Sequence, residues 1–556
     1  MWGLFVLLLL SLHAAPAAIA AKLKPSAAAI ATAHPLATEA GHQILAQGGN
    51  AFDAAVAVSA VLAVVEPYSS GIGGGGFWLL HRAADGFETM VDGRERAPLA
   101  ARHDLYLDKS GEVVPGLSIN GPLAAGIPGE PAALVHIAKK YGYMSLRESL
   151  APAIHLARSG FVVDEQYRRM ARMRLDALRK SAAANEVFLK AGEVPPLDSR
   201  ILQPQLAATL TAIARYGLEG FYSGQVAADL IRDVRAAGGI WTLEDLKQYQ
   251  VVEREPIRGD YNGMQIVTAA PPSSGGIVLM TMLNILSGYD LSAMGSVQRT
   301  HLIVEAMRRA YRDRATYLGD PDFVQIPVEH LIHPFYAAGL ARNIYMGRAS
   351  ESLPKTRQAT TEEGQDTTHF SIIDREGNRV AATLSINYPF GSGFMSASTG
   401  VLLNDEMDDF SARPGVPNVY GLVGGAANAI APGKRMLSSM TPTFVETNDG
   451  VAILGTPGGS RIITMVLLGI LELEQGAPVA SWVSRPRFHH QFLPDHIRFE
   501  PGALTGKESE QLAKMGHTMK PLQRSYGNMQ AVFWNRNSGE IQAASDPRAA
   551  GSAQVR

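Results

Sequence analysis

A layered α/β fold, with sheets enclosed between helices, is the architecture that this sequence predicts. Two patterns carry the expectation. Each half of the chain contains both strand-like and helix-like segments, and from Thr367 the pattern changes to strands. The length, 556 residues, exceeds what one ordinary core holds and suggests several domains.

The elements follow in order. Thr38 to Val65 is alanine-rich with helical spacing, and Gly48-Gly49-Asn50 divides it into two helices. Gly71-Ile72-Gly73-Gly74-Gly75-Gly76 leads into a strand, Phe77 to His81, and a polar turn from Ala83 to Gly86 returns the chain through Phe87 to Val91 as a hairpin. Residues 131–240 read as mainly helical. The loop Ala270-Pro271-Pro272-Ser273-Ser274-Gly275-Gly276 opens another helix, and His301 to Tyr317 reads as an amphipathic, arginine-rich helix with a solvated face. Lys355 to Asp366 has the composition of an exposed linker. Beyond it, Thr368–Asp374 and Arg379–Ile386 are strands joined by a turn, followed by strands at Thr443–Glu446 and Val451–Leu454, a helix from Arg461, and strands near Ile497–Glu500 and Ala531–Trp534.

Composition narrows the function. Hydrophobic residues make up 46% and charged residues 18%, and the formal charge is −2, so no basic field invites nucleic acid. There is no cysteine, which excludes disulfides, thiolate metal sites and a cysteine nucleophile. Near the start, Leu4 to Leu10 is an apolar core too short to span a membrane, and Ala18-Ile19-Ala20 supplies a small-x-small cleavage pattern. No Lys or Arg precedes that core. The reading is a signal peptide over residues 1–20 and a secreted, periplasmic protein.

Several motifs bear chemistry, each with a plainer alternative. Gly71-x-Gly73-x-x-Gly76 matches the dinucleotide fingerprint, but a helix precedes it and a strand follows, the reverse of what a pyrophosphate site needs. Close backbone packing is the better reading. His489-His490 and His330-x-x-His333 lack zincin spacing and read as structural. Asp405-Glu406-Met407-Asp408-Asp409 is either a solvated turn or a site for an ammonium group; it lacks the glycine and spacing of a calcium loop. Gly458-Gly459-Ser460-Arg461 precedes an apolar helix, so it either starts that helix or cradles an anion with its amides. Asp366-Thr367-Thr368 either opens a strand or marks a self-cleavage point. A threonine freed as a first residue carries its own base, because an α-amine titrates near pKa ~8 and can take the hydroxyl proton.

In this order, Gly73-Gly74-Gly75-Gly76-Phe77, Asp92-Gly93-Arg94-Glu95, Pro271-Pro272-Ser273-Ser274-Gly275-Gly276, Leu318-Gly319-Asp320-Pro321, Asp366-Thr367-Thr368-His369, Met407-Asp408-Asp409-Phe410, Leu437-Ser438-Ser439-Met440 and Pro457-Gly458-Gly459-Ser460-Arg461 resemble the γ-glutamyltranspeptidases, or glutathione hydrolases, of the N-terminal-nucleophile superfamily. The resemblance runs from about Ala31 to the end. It implies a four-layer αββα sandwich formed jointly by a large subunit, 21–366, and a small subunit, 367–556, cut apart between Asp366 and Thr367.

It also implies roles. Thr367 is the nucleophile, and Ser385 stands where the family usually has a threonine that hydrogen-bonds it. Arg94, Ser438 and Ser439 hold the substrate α-carboxylate; Asn387, Glu406 and Asp409 receive the α-ammonium; Gly458 and Gly459 offer N–H groups to the oxyanion; Tyr420 belongs to a segment that covers the site. The implied reaction takes γ-glutamyl amides such as glutathione through a threonine ester to water or to an amino-acid or peptide amine, without metal or organic cofactor. The other readings are a cephalosporin (glutaryl) acylase of the same superfamily and a relative that binds peptides without processing.

Overall fold

The computed structural model describes residues 24–353 and 367–556. The leader at 1–20 and the stretch Lys355–Asp366, with its half of the expected cleavage point, lie outside the described residues.

Two sheets face one another. The first has seven strands in the order Ser552–Val555, Ala29–Thr32, Thr368–Ile373, Arg379–Ser385, Gly75–Arg82, Phe87–Gly93, Val252–Arg254. The second has six, in the order Ile541–Ser545, Gln530–Asn535, Gly450–Gly455, Thr443–Glu446, Met264–Thr268, Ile257–Tyr261. Every pairing within these two sheets is antiparallel.

Side chains alternate across the first sheet, as the pleat requires. Phe77, Leu79 and Ala381 join the core shared with the second sheet. Trp78, Leu80, Val380 and Ala382 pack outward against the helices Ala51–Val65, Glu130–Tyr141 and Leu146–Ser159. On the far side, Gly275–Leu286, Ser296–Tyr317 and Ile462–Glu474 cover the second sheet. The result is an αββα sandwich, the architecture that the resemblance implied. Length suggested separate domains; instead, strands from both ends of the chain alternate in one sheet. Among the described residues no helix is long and apolar enough to cross a membrane.

Local signals account for the elements. The second helix starts at an Asn50 capping box, in which Asn50 Oδ1 accepts from Asp53 N–H and Asp53 Oδ2 accepts from Asn50 N–H. The glycine run packs by contact: a Cβ on Gly73 would stand 2.0 Å from the Leu402 carbonyl oxygen, and one on Gly74 2.2 Å from that of Ser385. The helix before it and the strand after it leave no nucleotide loop.

The arginine-rich helix departs from expectation. It runs Ser296–Tyr317, and Arg308, Arg309 and Arg314 are buried rather than solvated. Arg309 pairs with Glu305 at 2.6 Å, and Arg308 pairs with Glu305 and with Asp495. Asp495 comes from much later in the chain, so the burial of this face could not be read locally.

Candidate active site

Register brings the expected nucleophile and its partner together. Thr368 lies opposite Leu384 in the antiparallel ladder, which sets Thr367 across from Ser385. Their hydroxyl oxygens are 3.3 Å apart, and Ser385 Oγ accepts the Asn387 N–H at 2.8 Å. Gly75 pairs with Ser385 on the next strand and Gly76 with Gly93, which carries Arg94 to the same end of the sheet. Thr367 itself has φ of 125°, a torsion that β-branched residues avoid.

A cavity of about 20 Å³ lies among Arg94, Thr367, Ser385, Asn387, Glu406, Asp409, Tyr420, Ser438, Ser439 and Gly459. Gly458, one residue back in the glycine turn, does not line it. That volume holds about one water, because the walls close on each other. The Arg94 guanidinium is 2.6 Å from both the Glu406 and the Asp409 carboxylates, and 3.5 Å from Glu95. The acidic cluster is therefore no solvated turn: Asp405, Glu406 and Asp408 are buried, and Glu406–Asp409 forms one 3-10 turn.

Burial dominates the electrostatics. It pushes Glu406 up to about 7, with the Arg94 charge opposing and Asp409 reinforcing the rise. Burial also raises Glu95, helped by the neighbouring Glu406 charge, so Glu95 favours its neutral form. For Arg94 burial works against the charge, and Glu406, Glu95 and Asp409 more than restore it.

The segment around Tyr420 closes the cavity. Tyr420 Oη donates to the Asn387 carbonyl at 2.9 Å, and Gln491 Nε2 donates to the Tyr420 carbonyl at 3.1 Å. Asn418 Oδ1 accepts from the N–H groups of Tyr420 and Leu422, and its Nδ2 donates to Asp409. The Tyr420 ring lies over Gly459, where a Cβ would come within 2.7 Å of it. Gly458 and Gly459 have φ of 137° and 56°, conformations open to glycine. They lead through a 3-10 turn into the helix Ile462–Glu474, the setting in which backbone N–H groups and the helix dipole favour an anion.

Asn387 Nδ2 donates to the Asp405 carbonyl at 3.1 Å, so the acceptor its amide offers is Oδ1. Ser438 Oγ accepts from the Met440 N–H at 3.1 Å. The His489 ring bonds Thr464 and Gln491, and that of His490 bonds Asp495, in keeping with structural histidines.

Two residues here went unread in the sequence. Gln491 joins the cover to the glycine turn, accepting from Ser460 Oγ at 2.7 Å while holding Tyr420; a single loop glutamine carries no sequence signal. Arg314 reaches Ser274 and Ser439. Its signal was present, because at helical spacing it continues the apolar stripe of Ile303, Met307 and Ala310.

Comparison with known proteins agrees with this geometry. Residues 37–555 match the Gamma-glutamyltranspeptidase family. The glutathione hydrolase proenzyme of Pseudomonas sp. (strain A14) is 45% identical over 493 residues, 88% of this chain and 85% of that one. Cephalosporin acylase from Bacillus halodurans superposes with a TM-score of 0.84 at 26% identity, covering 99% of both chains. Helicobacter pylori gamma-glutamyltranspeptidase gives 0.55 at 40% identity, covering 59% of this chain and 96% of its own. Likeness of this length and identity makes the chain an enzyme of the N-terminal-nucleophile type: it belongs to the gamma-glutamyltranspeptidase family.

Proposed function

We propose that this protein cuts itself before Thr367 and then works as a γ-glutamyltransferase and glutathione hydrolase. The observation that carries the reading is the Thr367–Ser385 hydroxyl pair, 3.3 Å apart, on one cavity with a buried arginine and two carboxylates. In the precursor the Thr367 hydroxyl attacks the Asp366 carbonyl carbon and the peptide becomes an ester. Water then splits the ester, leaving the Asp366 carboxylate and a free Thr367 amine. In turnover that amine takes the Thr367 hydroxyl proton, the oxygen attacks the γ-carbonyl, and the proton passes to the leaving amine. Gly458 and Gly459 N–H groups stabilise the tetrahedral oxygen. The γ-glutamyl ester passes to water or to an amino-acid or peptide amine.

The head group fits by exchange of partners. The substrate carboxylate takes Arg94 with Ser438 and Ser439, and the ammonium takes Asn387, Glu406 and Asp409, replacing pairs that the protein makes internally. The cover at Tyr420 must move to admit it. The large piece is 21–366, the small piece 367–556, and the leader directs the precursor to the periplasm. A chain length supports the division: the Helicobacter pylori chain is matched over 96% of itself yet covers 59% of this sequence.

The whole-chain likeness to a cephalosporin acylase favours glutaryl amides as a second reading. A glutaryl group lacks the ammonium, which would leave the ammonium-receiving arrangement of Asn387, Glu406 and Asp409 unused. Turnover of γ-glutamyl-p-nitroanilide beside glutaryl-p-nitroanilide decides, together with amino-terminal sequencing of the smaller fragment. Preference for the glutaryl donor, or a fragment that does not start at Thr367, overturns the proposal.

A further inference from the structure

We propose that Arg314 is a positioning residue for donor recognition: it turns the Ser439 hydroxyl proton toward the substrate α-carboxylate. This rests on the γ-glutamyl reading above. Arg314 projects from the helix Ser296–Tyr317 and is buried, with 5% of its surface exposed. Its Nε donates to Ser274 Oγ at 2.9 Å and its Nη2 to Ser439 Oγ at 3.3 Å.

A hydroxyl has one proton and two lone pairs. Guanidinium only donates, so each serine it touches must accept from it and direct its own proton elsewhere. Ser274 spends its proton on the Ser438 carbonyl at 2.7 Å, which holds the Ser438–Ser439 segment in place. Ser439 lines the cavity, and among the described residues its Oγ donates to no protein acceptor. Its proton is thus the one left to point inward. Ser438 is set in the same way by the Met440 N–H. The two serines become donors before substrate arrives, and the charge behind Ser439 strengthens the bond it gives to an anion.

Arg314 also balances the cavity. Arg94 pairs with Glu406 and Asp409, while Arg314 interacts favourably with Asp409 and unfavourably with Arg94. A pocket built from two arginines and two carboxyl groups suits a zwitterion rather than a lone cation.

A double-mutant cycle tests this. R314Q should lower kcat/KM for γ-glutamyl-p-nitroanilide by about 10–100-fold, mainly through KM, since a charge-assisted hydrogen bond is removed. In an S439A background the same change should cost less than about threefold, because the hydroxyl it acts through is gone. Equal losses in both backgrounds would show a merely structural arginine and overturn the proposal. If R314Q stays uncut on a denaturing gel, R314K serves in its place: its ammonium has no fork to span both hydroxyls, and its smaller loss must also vanish with S439A. Wild-type protein that fails to turn over γ-glutamyl donors would instead defeat the functional reading, a result separate from either cycle.

Discussion

Tyr420→Phe isolates one atom of the cover. The tyrosine hydroxyl is buried and donates to the Asn387 carbonyl at 2.9 Å. Removing it leaves that carbonyl short of a partner and frees the ring end of the segment. Loss of a neutral hydrogen bond costs about 0.5–1.5 kcal/mol, and a carbonyl left unsatisfied in a buried site about 1–3. Because Gln491, Asn418 and Asp408 still hold the backbone of the segment, the expected penalty is about 1–2 kcal/mol rather than the full range. At 1.36 kcal/mol per decade this is roughly a 5–30-fold fall in kcat/KM. A looser cover also admits water, so the ratio of transfer to hydrolysis should fall. The assay measures γ-glutamyl-p-nitroanilide turnover with and without glycylglycine as acceptor. Unchanged kcat/KM together with an unchanged transfer ratio would refute the view that this bond closes the site.

Thr367→Ala should leave one full-length band on a denaturing gel and no γ-glutamyl turnover; cleavage at the same bond would exclude self-processing by that hydroxyl. Glu406 is pushed by burial to about 7, so its ionised, ammonium-binding form grows from pH 6 to 8. The inhibition constant of L-glutamate should fall over that range, and E406Q should flatten the profile; equal slopes would remove Glu406 from the ammonium site. Glu130 is buried, and neither carboxylate oxygen has a hydrogen-bond partner among the described residues. Burial raises it from 4.5 to about 8, so its stabilising contribution is complete below about 4.5 and lost as pH rises through 8. E130Q should therefore gain stability over wild type between pH 5 and 8, by at most about 1.4 kcal/mol per pH unit. Parallel Tm–pH curves for the two proteins would contradict this.

What the sequence disclosed followed local physics. The turn residues at Gly48-Gly49-Asn50 and Arg375–Asn378, and the apolar run Phe77 to His81, act over a few residues and set where the neighbouring helices break and strands end to within two positions. Once the strands at Thr368 and Arg379 are paired through a short turn, Thr367 and Ser385 must meet. Hidden were the features that depend on distant partners. Charge in the helix at Ser296–Tyr317 reads as solvated until Asp495 and Ser439 arrive from elsewhere to bury it. The internal pairing of Arg94 with Glu406 and Asp409 was likewise invisible, because motifs show which groups converge and not which of them neutralise one another beforehand.

The order of strands in the larger sheet has a mechanical consequence. Thr368–Ile373 and Arg379–Ser385 sit side by side in its middle, with Ala29–Thr32 along one flank and Gly75–Arg82 along the other. Severing the backbone ahead of Thr367 therefore yields two polypeptides zipped into each other, with no seam along which they can part. Dilution should not separate them, and specific activity should be the same at nanomolar and micromolar protein. Release of either polypeptide would demand that whole ladders be torn open, which is denaturation and not dissociation.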